Sequence, residues 1–154
     1  MRRPHACAAI LTAAALLCAM TTNASAHPDE RARCTVATLK GSFGYTVTGS
    51  LAGGPSAGPF AAVGRITFDG AGNFANVRTI SRNGAITSRA QGIGTYGVEP
   101  DCTGALVFTD GGVVTLGTDL VISADGDEIR MIATSPGTVL TIEGRRQFSS
   151  RGGR

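Results

Sequence analysis

Gly64-Arg65-Ile66-Thr67-Phe68-Asp69-Gly70-Ala71-Gly72-Asn73-Phe74 alternates apolar with polar side chains as far as Phe68, breaks at Asp-Gly-Ala-Gly-Asn, and resumes at Phe74. Alternation with a period of two belongs to a strand with one buried face, and a short glycine-rich break returns the chain antiparallel to itself. Working outward, the same unit recurs. The return strand runs from Phe74 to about Ser81, and Arg82-Asn83-Gly84 supplies an Asn-Gly hairpin turn. Ala85 to Tyr96 follows, with Ile86, Ser88 and Ala90 on one face and Thr87, Arg89 and Gln91 on the other, until Pro100-Asp101 interrupts it. Gly104–Thr109, Val113–Ser123, Ile129–Thr134 and Thr138–Phe148 are further extended runs, separated by Asp-Gly-Gly, Asp-Gly-Asp and Ser-Pro-Gly turns.

Upstream, Phe60–Phe68 leads into the hairpin, and Ser50–Pro59, rich in Gly, Pro, Ala and Ser, reads as a flexible loop. Before it, Gly41–Gly49 sends Phe43, Tyr45 and Val47 one way and Ser42, Gly44, Thr46 and Thr48 the other. The residues Cys34–Lys40 suit one turn of helix tied down at Cys34. About eight strands joined by short turns, with no helical periodicity of any length, is the pattern of an up-and-down meander. Left open, such a sheet exposes two edges that invite pairing with other chains. The first and last strands lack the lysines and prolines that blunt an edge, so closure into a single all-β, eight-stranded antiparallel barrel is expected, with a two-sheet sandwich as the alternative. A barrel of this size is either filled by side chains or holds one small ligand.

The N-terminus has Arg2-Arg3, an apolar run from Ala6 to Met20, and Ala24-Ser25-Ala26, the three-part layout of a secretory signal peptide cleaved after Ala26. The apolar run is short of the ~20 residues of a membrane-spanning helix, and the mature chain is expected to carry no transmembrane segment. Pro4-His5 argues against a twin-arginine signal, and Leu17 before Cys18 against a lipoprotein site. The domain layout is therefore a signal peptide over residues 1–26, an N-terminal leader over 27–40, the barrel over 41–148 and a basic tail over 149–154. A secreted or periplasmic location follows. Of four cysteines, Cys7 and Cys18 leave with the signal peptide, and Cys34 and Cys102 remain as a disulfide expected in an oxidising compartment.

The 128 residues after Ala26 carry 12 basic and 11 acidic side chains, and four of the basic ones lie in the last ten residues. The body is mildly acidic, which argues against a nucleic-acid partner. Arg145 to Arg154 read as a frayed, solubilising tail or as a contact for acidic lipid headgroups or another protein.

Four segments together resemble one known group: Cys34-Thr-Val-Ala-Thr-Leu-Lys-Gly-Ser-Phe-Gly-Tyr45, Gly64–Asn73, Gly94-Thr-Tyr-Gly-Val-Glu-Pro-Asp-Cys-Thr-Gly104 and Pro136-Gly-Thr-Val139. The group comprises small secreted bacterial proteins whose domain is likened to the allene oxide cyclase barrel, a calycin-like fold. The resemblance implies an eight-stranded barrel with a central cavity. The shared segments are turns, glycines and the cysteine pair, and no catalytic residue of the plant allene oxide cyclases matches a position here, so none is carried over.

Chemistry-bearing groups are few. His27 is the one histidine after Ala26, which leaves no Ser-His-Asp or Cys-His arrangement and no multi-histidine metal site. A copper site at a terminal His27 is the weaker reading beside an accident of cleavage. Asp69–Asn73 and Asp125–Glu128 offer oxygens that calcium accepts, but too few, with the glycines of hairpin turns. No metal, cofactor or catalytic residue is expected. Among the strand arginines, Arg65 opposes Ile66 and Phe68, and Arg130 opposes Ile129 and Met131, so both should face solvent; Arg89 alternates with Ser88 and Ala90. Arg78 shares a face with Phe74 and Ile80, and pointing inward it would meet either a carboxylate ligand or a buried acid. Tyr45 and Tyr96 would supply hydroxyls to the same interior, or serve as core residues. The expected function is an exported, non-catalytic barrel that takes a small hydrophobic or amphipathic ligand. The alternatives are a cyclase or isomerase that works by positioning its substrate, and a structural or interaction module of the envelope.

Overall fold

The computed structural model describes residues 34–110 and 112–148. The expected signal peptide and its Ala26 cleavage site, His27 and the rest of the expected leader to Arg33, and the expected tail from Ser149 lie outside the described residues. Eight strands follow one 3-10 turn (Val36–Leu39): β1 (Gly41–Leu51), β2 (Gly58–Phe68), β3 (Asn73–Arg82), β4 (Ala85–Val98), β5 (Thr103–Asp110), β6 (Val113–Ile122), β7 (Glu128–Ala133) and β8 (Thr138–Arg146). All neighbours pair antiparallel in sequence order, and β1 pairs with β8 from Phe43↔Arg146 to Leu51↔Thr138, so the sheet closes on itself. The two edges that the sequence left unprotected protect each other.

Alternation decides what goes inside. Phe43, Tyr45 and Val47 of β1, Ile66 and Phe68 of β2, Leu106 and Phe108 of β5, and Leu140 and Ile142 of β8 are all buried. Two irregularities shift the pattern. In β3–β4 the register passes from Arg78↔Ala90 to Ile80↔Thr87, an extra residue on β4 with Arg89 at φ 55°. The bulge flips the parity within the strand: Ile86 is exposed while Ala90 packs on the core, although strict alternation put them on one face. A second slip lies between Phe108 and Thr109 on the β5–β6 ladder. The predicted loop Ser50–Pro59 is shorter than expected, because pairing continues through Ser50↔Pro59 to Leu51↔Gly58. Proline is tolerated this close to a strand's first residue.

One end of the barrel is plugged. Leu39 of the 3-10 turn is fully buried, and the disulfide Cys34–Cys102, with a Cα–Cα distance of 4.9 Å, ties this turn to the β4–β5 connection. Beneath it Phe43, Phe68, Phe74, Tyr96 and Phe108 meet edge to face with centroids 4.8 to 5.9 Å apart, the geometry that aromatic quadrupoles favour. The tail reading fails for the first two of its arginines. Arg145 pairs with Glu128, and Arg146 spans the plugged end. Its guanidinium donates to the carbonyl oxygens of Lys40 (2.6 Å), Thr38 (3.0 Å) and Gly126 (2.8 Å), pairs with Asp127 (3.0 Å), and lies 4.5 Å from the centre of the Phe43 ring. Strand β8 carries it there, and three carbonyls left without strand partners receive it.

Candidate functional site

The other end of the barrel holds a cavity of about 300 Å³. Its walls are mainly apolar, with Val47, Ala62, Ile80, Leu140 and Ile142 among them; Arg82, Thr115 and Thr138 stand toward the mouth, and Tyr45, Arg78 and Phe108 toward the plug. The aromatic cluster fills the plugged half, so the open space is confined to the half bounded by the turns after β1, β3, β5 and β7.

The inner end of the cavity is set by one row of the sheet: Ile129↔Gly144↔Tyr45↔Gly64↔Arg78↔Ala90. Tyr45 and Arg78 lie two strand spacings apart, about 9–10 Å between backbones, with a glycine between them. A Cβ on Gly64 would stand 2.5 Å from the Val77 carbonyl oxygen and 2.8 Å from Arg78 Cβ, and one on Gly92 would stand 2.8 Å from Arg78 Nη1. Glycine at both positions leaves the room in which the long arginine curls inward over the neighbouring strand.

Arg78 Nη1 donates to Asn76 Oδ1 at 2.6 Å, and among the described residues no carboxylate pairs with Arg78. Of the two fates the sequence offered an inward Arg78, the buried acid is not the one observed. Tyr45 is 5% exposed and its hydroxyl proton has no acceptor, the Arg78 guanidinium being the polar group beside it; the Nδ2 of Asn76, which is 6% exposed, has no partner either. Burial pushes the Tyr45 phenol above its ordinary pKa of 10.0, while the charge of Arg78 and its approach to the phenol oxygen as a donor act in the opposite direction. Tyr45 is therefore a protonated donor at neutral pH. A guanidinium with spare N–H groups, a phenolic O–H and a dry wall make a receptor for hydrogen-bond acceptors, above all anionic ones.

Tyr96 does not join them. Its hydroxyl donates to the Val36 carbonyl (2.9 Å) and accepts from the Gly70 N–H (3.1 Å), which ties the plug to the β2–β3 turn. Arg65, Arg89 and Arg130 are exposed. Both carboxylate oxygens of Asp69 are taken up by the turn, accepting from the N–H groups of Ala71 and Asn73 and from Asn73 Nδ2. Among the described residues no three His, Cys, Asp or Glu side chains come together as a metal site, and no helix is long and apolar enough to cross a membrane. Sequence reasoning missed Asn76 and Arg82, which share the inward parity of Arg78 and were within its reach. It also missed Gly64, whose role exists only through cross-strand register. No family model, no curated protein and no solved structure matches the chain.

Proposed function

We propose that the protein is an exported barrel that binds one small amphipathic molecule in the open half of its interior. The observation that carries this reading is the cavity itself: about 300 Å³, walled by apolar side chains on several strands, and meeting polar groups at one inner face. Small-molecule sites take this form, a concave apolar space with a few placed polar groups. A barrel with no such task would gain stability by filling the space, since each missing methylene forfeits packing. Export is supported by the charged–apolar–small layout before Ala26 and by the Cys34–Cys102 disulfide, a bond that persists in oxidising compartments.

Titration of the protein, expressed from its full-length chain, with octan-1-ol tests the reading. Backbone amide NMR signals of Val47, Ala62, Ile80 and Leu140 should shift together and saturably, while those of the plug at Leu39 stay in place. Unmoved cavity signals, together with a consistently ligand-free mass in native mass spectrometry after gentle purification, would remove it.

A further inference from the structure

We propose that the cavity selects a compact monocarboxylate and takes it head first, with the carboxylate seated on Arg78 and Tyr45 and the apolar body pointing to the mouth. This inference rests on the ligand-binding reading above and adds the chemistry and direction of the ligand.

Three observations carry it. First, Arg78 is an inward cation that meets no carboxylate among the described residues and donates instead to the neutral Asn76. Turning a guanidinium into an apolar space without a counter-charge is costly, and arginine matches a carboxylate with two parallel N–H donors. Second, Tyr45 places a nine-tenths buried hydroxyl, whose proton has no acceptor, beside that guanidinium on the cavity wall. A carboxylate offers about four lone-pair sites, so it accepts the arginine fork and the phenol together. Asn76 acts as a positioning residue: its amide oxygen accepts from Nη1 and leaves the other guanidinium N–H groups for a ligand.

Third, the space limits charge and size. One inward guanidinium neutralises one negative charge, and a dianion such as phosphate would bring a second unpaired charge into the same apolar site. At a liquid-like volume of about 30 Å³ for each heavy atom, the cavity of about 300 Å³ holds on the order of ten. The other cation of the site, Arg82, stands exposed at the mouth with its guanidinium 5.8 Å from the centre of the Phe60 ring, where it attracts an anion without binding its buried head.

Octanoate, octan-1-ol and octylammonium share a chain length and differ in the head, so calorimetric titration of each at pH 7.5 separates the ideas. The wild-type protein should bind octanoate tenfold or more tightly than octan-1-ol, by the usual strength of charge-assisted hydrogen bonds (roughly 10- to 100-fold), and should bind octylammonium weakest. Arg78→Met should erase the preference and keep octan-1-ol binding. Tyr45→Phe should lower octanoate affinity several-fold with the alcohol unaffected. Equal binding of acid and alcohol by the wild type, or a preference that survives in Arg78→Met, overturns the head-first carboxylate while leaving the cavity reading in place. Failure of all three probes to bind overturns both.

Discussion

A β-carbon at Gly64 would press on the Val77 carbonyl oxygen and on Arg78 Cβ, so a residue with no side chain of its own helps set the room that Arg78 has. Overpacking of this kind costs about 1–3 kcal/mol. Gly64→Ala should lower the unfolding free energy by about that much in urea denaturation and weaken octanoate binding by at least tenfold; an unchanged affinity would show that Arg78 does not depend on the empty row position. This part of the site was half legible. The inward parity of Arg78 follows from Phe74 and Ile80 on the same strand, but strand alternation says nothing about which residues two strands away stand opposite. Register is set by hairpin lengths accumulated across β1, β2 and β3, and only that register brings Tyr45, Gly64 and Arg78 into line.

The β2–β3 hairpin is an element whose turn carries its own pH dependence. Asp69 is fully exposed, yet its carboxyl is held below the ordinary 3.8 by the Asn73 side-chain amide first, and then by the N–H groups of Asn73 and Ala71. A depressed folded-state pKa means that the unfolded chain takes up the proton first as the solution is acidified. The turn's contribution is therefore complete above the ordinary value, and is lost as pH falls through the lower, folded one. The amide proton shifts of Ala71 and Asn73 should titrate with a midpoint below 3.8, and Asn73→Ala should move that midpoint up; a wild-type midpoint at or above the ordinary value would contradict the hydrogen-bonded turn. This hairpin was readable from Asp-Gly-Ala-Gly-Asn alone. The β4 bulge was not. Nothing in Thr87-Ser88-Arg89 marks an extra residue, since a left-handed backbone at Arg89 arises from the demand of the curving sheet rather than from a glycine in the sequence.

For the molecule as a whole, the number of strands and their antiparallel order were legible in the turns, and closure followed from the unprotected edges. The plug was less so, because Arg146 looks like part of a basic tail until β8 is seen to end beside the carbonyls of Thr38 and Lys40. The disulfide holds this end across a sequence separation of 68. Replacing both cysteines, Cys34→Ser with Cys102→Ser, should lower the unfolding free energy by about 2–4 kcal/mol, measured by urea denaturation, with the strand signature in circular dichroism retained at low temperature. A smaller loss would assign the plug's hold to Arg146 and the aromatic cluster. Among the described residues, seven of the eight ladders join strands adjacent in sequence, and only β1 with β8 joins the first strand to the last. Closing a loop around the whole ring costs more chain entropy than closing a hairpin, so the β1–β8 ladder is expected to form last: a row of staves stands before the final gap shuts.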